Sequence, residues 1–306
     1  MTGVVVLGAS GMLGSMVTDV LAADESLSVA GTVRSQALAE MCRDRAPQVE
    51  WRRFDATADE RSLAAALDGA DWVINAIGLT KPYVDDDDPF EVERAIHVNA
   101  GFPFALARAA EAAGAQVVQI ATDCVYSGAA GAYVESSPHD ALDVYGKTKS
   151  LGEAALPAMH LLRCSIIGPE PKAPAFLLEW VRRQPEGATV TGFTDHLWNG
   201  VTTHAFARLC RGLARGGGEP GLQHVVPAGD VTKAELLVMI ARAYGRSDIT
   251  VVPAEAPYPV DRTLRTEHAE TNAALWAAAG YPAPPSVAEM VAETARCKPR
   301  FTELMP

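Results

Sequence analysis

Tyr145 and Lys149 stand four residues apart in Val144-Tyr145-Gly146-Lys147-Thr148-Lys149, a spacing that puts a phenol and an ammonium on one face of a helix. A cation held beside a phenol favours the phenolate, so the pair can bring a tyrosine proton into play near neutral pH. By itself this spacing is common on solvated helix faces and specifies little. It gains meaning from Gly8-Ala9-Ser10-Gly11-Met12-Leu13-Gly14, which precedes it at the separation expected of a dinucleotide-binding fold. Together the two motifs predict nicotinamide-dependent oxidoreductase chemistry.

The elements that must position these groups can be read around them. Residues 4–7 form a β-branched run suited to a buried parallel strand, and residues 16–21 have helical periodicity. Between them, Gly8 permits a tight turn, Gly11 lets backbone N–H groups approach a pyrophosphate, and Gly14 lets the helix pack close to the strand. Ser10, Met12 and Leu13 complete the expected cofactor cradle, although the spacing is G-x-x-G-x-x-G rather than G-x-G-x-x-G. Further apolar runs at 27–33, 51–54, 72–77, 116–121, 160–167 and 222–226 alternate with helical stretches at 62–67, 89–113 and 145–155. That alternation predicts an α/β doubly wound parallel sheet of Rossmann type. Proline-rich segments at 168–174 and 253–259 predict a smaller C-terminal lobe of helices and loops. The expected division is a dinucleotide-binding domain over 1–168 with 202–227 and a substrate lobe over 169–201 with 228–306.

At 306 residues the chain is long enough for two lobes sharing a core, and 48% of it is hydrophobic. No apolar run approaches the roughly 20 residues that span a bilayer, and the first residues lack the basic and apolar regions of a secretory leader. Cys42, Cys124, Cys164, Cys210 and Cys297 are scattered, odd in number and free of C-x-x-C pairs, which suits a reducing cytoplasm and argues against structural zinc. A formal charge of −12 disfavours nucleic acid or anionic membrane as a general partner.

A resemblance sharpens this reading. Residues 120–128 (Ile-Ala-Thr-Asp-Cys-Val-Tyr-Ser-Gly), Tyr133-Val134-Glu135, and the Tyr145 helix with Gly152-Glu153 resemble the dTDP-4-dehydrorhamnose reductase family of extended short-chain dehydrogenases/reductases. The resemblance implies NADPH-dependent reduction of a nucleotide-linked 4-keto-6-deoxysugar, in deoxysugar or polysaccharide synthesis. It places the catalytic roles on Thr122, Tyr145 and Lys149. In this mechanism Tyr145 protonates the developing alkoxide, Thr122 hydrogen-bonds to the same oxygen, and Lys149 tunes the phenol and holds the nicotinamide ribose. Where the family often carries a serine, this chain has Ala121. Asn99 matches a position that orders the lysine in relatives, although a helix asparagine bonded to backbone explains it as well. The resemblance also allows a homodimer.

Cofactor choice is read at the end of the second strand. Where an acidic residue would bind the ribose hydroxyls of NADH, this chain has Arg34 and Ser35, which suit the 2′-phosphate of NADPH. NADH remains the alternative. By resemblance, Asp55 meets the adenine amine and Asn75, Ala76, Ile77 and Gly78 line the cofactor. Substrate candidates are Lys81, Asp123, Trp198, Asn199, Thr202 and Arg262, with Trp198 open to a core role and Arg262 to clamping a diphosphate. Ala175-Phe176 stands where relatives commonly have Asn-Phe.

Other chemistries fit less well. Four carboxylates at 85–88 repel one another and read as a solvated loop, so no metal is expected. There is no G-x-S-x-G elbow and no H-E-x-x-H pair. Two alternatives remain open. One is an epimerase-reductase using Cys124 with a partner such as His196; the other is a non-catalytic nucleotide-binding regulatory subunit.

Overall fold

Alternation along the first strand explains how the sheet is sandwiched. In β1 (Thr2–Leu7), Val4 and Val6 belong to one hydrophobic core and Val5 and Leu7 to another, because successive side chains of a strand point to opposite faces. A computed structural model describes residues 1–172, 175–301 and 304; Ala173 and Pro174 of the proline-rich segment lie outside the described residues. β1 is central to a seven-stranded sheet whose paired strands all run parallel. Its order is Gly221–His224, β6 (Met159–Arg163), β5 (Gln116–Ala121), β4 (Trp72–Asn75), β1, β2 (Leu27–Val33), β3 (Glu50–Arg53).

Helices cover both faces. α1 (Met12–Leu21) and α2 (Gln36–Arg45) bury Met16, Val17, Ala39 and Cys42 in the first core, whereas α3 (Glu60–Ala66) supplies Leu63 and Ala66 to the second. α4 (Pro89–Ala95) runs through a π-helical turn, Ile96–Gly101, into α5 (Phe102–Ala113), which buries Phe102 and Leu106 in the second core. α5 stops at Gly114, whose φ of 69° is left-handed. α6 (Val144–Leu151) carries Tyr145 and Lys149. α7 (Leu177–Arg182), α8 (Thr203–Gly216), α9 (Lys233–Ala243), α10 (Ala269–Ala278) and α11 (Val287–Arg296) follow, and α8 packs on the α1 side with Phe206, Leu209 and Leu213 in the first core.

Several local readings change. α2 is a helix that periodicity did not reveal, since Ala39 and Cys42 are its only buried residues. The run at 160–167 is two strands, because the chain breaks at Cys164-Ser165 and Ile166–Ile167 pairs with Val201–Thr202 outside the main sheet. The C-terminal region also holds short ladders in addition to helices and loops. Thr189–Phe193 pairs with Thr250–Ala254, and His196–Trp198 is flanked by Val231–Thr232 and Val260–Asp261.

Candidate active site

The strand order reverses between β1 and β4, which opens a crevice at their carboxyl ends where such sheets bind ligands. Gly8 turns there with φ of 76°, and a Cβ on it would press on Ile77 and the Ala76 carbonyl. A Cβ on Gly14 would overlap the Gly8 carbonyl, so only glycine lets α1 sit this close to the turn. Gly11 differs: its Cβ would meet nothing nearer than the Gly8 oxygen at 3.4 Å, so the fold itself tolerates a side chain there. α1 begins at Gly11 with no side-chain cap and no acidic residue in its first turn, leaving backbone N–H groups and a positive helix end for an anion. Met12 is half-buried, and Leu13 is a core side chain that offers the crevice only its backbone. Ser10 is buried, and its hydroxyl accepts a 2.9 Å bond from Lys172.

On the adenosine side of this turn, Arg34 is exposed. The Ser35 hydroxyl caps α2 by accepting from Leu38 N at 3.3 Å, and its proton is left to donate elsewhere. Burial pushes the Asp55 carboxyl up, but bonds from Thr57 and the charges of Arg34 and His97 outweigh it and the pKa is lowered. Both Thr57 bonds fall on one Asp55 oxygen. Asn75 does not face the crevice. Its amide donates to Gln119 at 2.7 Å and its oxygen accepts from Ile77 N at 3.1 Å, so it shapes the turn that presents Ala76, Ile77 and Gly78.

Thr122 ends β5 and caps the short 3₁₀ turn Asp123–Val125, accepting from Cys124 N at 3.1 Å. α6 is driven against this turn by two glycines: a Cβ on Gly146 would overlap the Cys124 carbonyl, and one on Gly152 would overlap the Asn99 carbonyl. Asp143 starts the helix by accepting from Gly146 N at 2.7 Å. Tyr145 is thereby brought beside Thr122, near enough for that side chain to act on the phenol's pKa. Burial, reinforced by Cys124, holds the phenol well above its ordinary pKa although Thr122 lowers it. Lys149 makes no hydrogen bond to the phenol. Its ammonium reaches inward and donates to the Ile120 carbonyl at 2.9 Å, and burial lowers its pKa to about 8 against the opposing charge of Glu153.

Asn99 lies in the π-helical turn, a feature frequent at functional sites. Its side chain accepts from Leu79 N and donates to Leu79 O, both at 2.9 Å, and reaches Thr148 Oγ1 at 3.3 Å. It clamps the loop after β4 to α6 and makes no bond to Lys149. Lys81 pairs with Asp143 at 2.7 Å, at the head of the Tyr145 helix.

Of the substrate candidates, Asp123 and Arg262 face the catalytic set. Burial raises the Asp123 pKa, with Arg262 and Lys233 opposing. Arg262 donates to the carbonyls of Tyr126 at 2.8 Å and Ser127 at 3.1 Å. Three others serve the scaffold. Trp198 is 4% exposed and bonds Ser165, so it has no free face for a base. Asn199 grips Leu264 through both N–H and C=O, and Thr202 caps α8. Backbone groups thus occupy the Asn199 and Thr202 side chains.

Two lysines escaped the sequence reading. Lys233, at the start of α9, lies 5.4 Å from the Trp198 ring centroid and within the field of Asp123. The capping box Thr232-x-x-Glu235 marked that helix start in the sequence. Lys172 had no signal beyond its proline-rich surroundings. The carboxylates at 85–88 act as caps: Asp88 accepts from Phe90 N and Asp86 from Val144 N. Among the described residues no cluster of His, Cys, Asp or Glu is arranged to hold a metal.

Residues 1–296 match the family model of the RmlD substrate binding domain. A dTDP-4-dehydrorhamnose reductase of Mycolicibacterium smegmatis is 26% identical over 276 residues, which is 86% of this chain and 76% of that protein. Another from Streptomyces griseus is 25% identical over 286 residues, covering 90% and 87%. The crystal structure of a Bacillus anthracis dTDP-4-dehydrorhamnose reductase in complex with NADP superposes with a TM-score of 0.69 at 19% identity, over 96% of this chain and 99% of that one, and shows the same fold.

Proposed function

The chain belongs to the RmlD substrate-binding-domain family, and from that membership we propose that it is an NADPH-dependent oxidoreductase reducing the keto group of a nucleotide-linked 4-keto-6-deoxysugar. The observation that carries the chemistry is the approach of Tyr145 to Thr122 at the carboxyl end of β5, on the same edge of the parallel sheet as the uncapped start of α1. NADPH, when bound, supplies the hydride. Tyr145 donates its proton to the carbonyl oxygen as negative charge develops there, and the Thr122 hydroxyl supports the same oxygen. The raised pKa of Tyr145 keeps that proton in place at neutral pH. Lys149, fixed by the Ile120 carbonyl, holds the ribose side of the site. Residues 1–168 with 202–227 carry the cofactor and residues 169–201 with 228–306 the sugar nucleotide, with Asp123 and Arg262 at its reacting end.

Residues fitting the dinucleotide are the Gly8–Gly14 turn, Arg34, Ser35 and Asp55. No helix among the described residues is long and apolar enough to cross a membrane, and the reading places the enzyme in the cytoplasm. Its test is NADPH consumption with a panel of dTDP-, UDP-, GDP- and CDP-linked 4-keto sugars. Turnover of none of them sinks the reductase reading. The epimerase-reductase alternative has less support: burial pushes the Cys124 thiol up to about 12, and His196 is bonded to the Tyr258 carbonyl.

Two results are expected at the cofactor. Arg34→Ala weakens NADPH binding roughly 10–100-fold, the worth of a charge-assisted hydrogen bond, and leaves NADH affinity unchanged. Equal losses for both dinucleotides in a fluorescence titration remove Arg34 from the 2′-phosphate. Gly11→Val is expected to fold, because a Cβ there makes only a 3.4 Å contact with the Gly8 oxygen, but to lose binding of NADPH and NADH alike as its side chain fills the pyrophosphate approach. Unchanged affinity in the folded variant rules that geometry out.

A further inference from the structure

Resting on the NADPH-dependent reading, we infer that Lys172 is a second cation for the 2′-phosphate, acting with Arg34 and so setting cofactor preference. The lysine comes from the segment after β6, far from the Gly-rich turn in sequence, yet its ammonium lies 2.9 Å from the hydroxyl of Ser10. It is half-buried. Burial and the charge of Arg34 both make its protonated form harder to hold, so the two cations face the same region. Among the described residues, neither is ion-paired with a carboxylate. An arrangement of like charges that costs free energy in the empty site is relieved when an anion enters between them. A phosphate monoester carries about −1.5 to −2 charges at neutral pH, enough to compensate both. The Ser35 hydroxyl at the uncapped-proton side of α2 adds a neutral donor to the same region. NADH has only ribose hydroxyls there and leaves the cation pair uncompensated.

The bland alternative is that Lys172 tethers its own segment to Ser10 and has no part in binding. Lys172→Met separates the two. We expect the variant to weaken NADPH binding roughly 10–100-fold while NADH affinity changes less than about 2-fold, with Lys172→Arg keeping most of the preference. The salt dependence of NADPH binding should fall in the methionine variant, since one charge has left the site. Titration of 2′,5′-ADP against 5′-AMP, with thermal melts to show that each variant is folded, gives the same comparison without the nicotinamide. Equal weakening of NADPH and NADH assigns Lys172 to the tether and overturns the inference, as does no change in either. Wild-type protein that binds neither dinucleotide overturns the reductase reading first, and the inference with it.

Discussion

Tyr145→Phe lowers kcat by roughly 10²–10⁴-fold and leaves NADPH affinity and the unfolding midpoint close to wild type. The substitution removes one hydroxyl beside Thr122, and takes nothing from the turn around Gly8, Gly11 and Gly14. α6 keeps its place because that is set elsewhere: by the Asp143 cap and by the close approaches of Gly146 and Gly152. The loss therefore reads the proton step rather than the fold. Steady-state kinetics with a competent keto sugar, paired with an NADPH fluorescence titration, measures both halves. Near-normal kcat would show that another group donates the proton.

What could be read from the sequence follows from how locally each feature is determined. β1, β2 and β5 and the glycine turn are legible because a buried parallel strand needs an apolar run and a tight turn needs glycine, whatever lies around them. α2 was hidden because it buries too little to show a periodic apolar face. The Tyr145–Thr122 meeting was legible through the family motif, whereas the direction of the Lys149 side chain was not, since spacing says which face a residue occupies but not which acceptor it reaches. Asn75, Asn199 and Thr202, ligand candidates by sequence, satisfy backbone groups at a strand end, a loop and a helix start. Nothing in a linear pattern tells a capping hydroxyl from a binding one. Lys172 was out of reach for a different reason: its partners, Ser10 and Arg34, are more than a hundred residues away.

Arg163→Met is expected to cost about 3–5 kcal/mol of stability, because it strands a buried carboxylate. Arg163 is fully buried at the end of β6. Its guanidinium forks onto both oxygens of Glu153, just past α6, and donates to Tyr126 Oη at 2.6 Å, His224 Nε2 at 2.7 Å and His139 Nε2 at 2.8 Å. Accepting through Nε2 puts the His224 proton on Nδ1, which donates to the Arg265 carbonyl at 2.7 Å. One side chain thus joins the end of the Tyr145 helix to the loop that carries Arg262. Burial, then the Arg163 charge, lowers the His224 pKa; for His139, burial lowers it first and Glu153 opposes. Both imidazoles hold a proton less readily in the folded chain than in the unfolded one. Their contribution is therefore fully present above the unfolded value of about 6.5 and is lost as pH falls. Urea unfolding at neutral pH measures the main effect, against a typical total of about 5–15 kcal/mol. Adding Glu153→Gln to Arg163→Met should recover part of the loss, since the stranded charge is gone. Repeating the titration below pH about 6.5 should show a shallower decline in Arg163→Met than in wild type, because the imidazoles no longer meet a guanidinium. A single variant as stable as wild type would mean that water or a neighbouring group takes over Glu153, and that the network does not hold α6 in place.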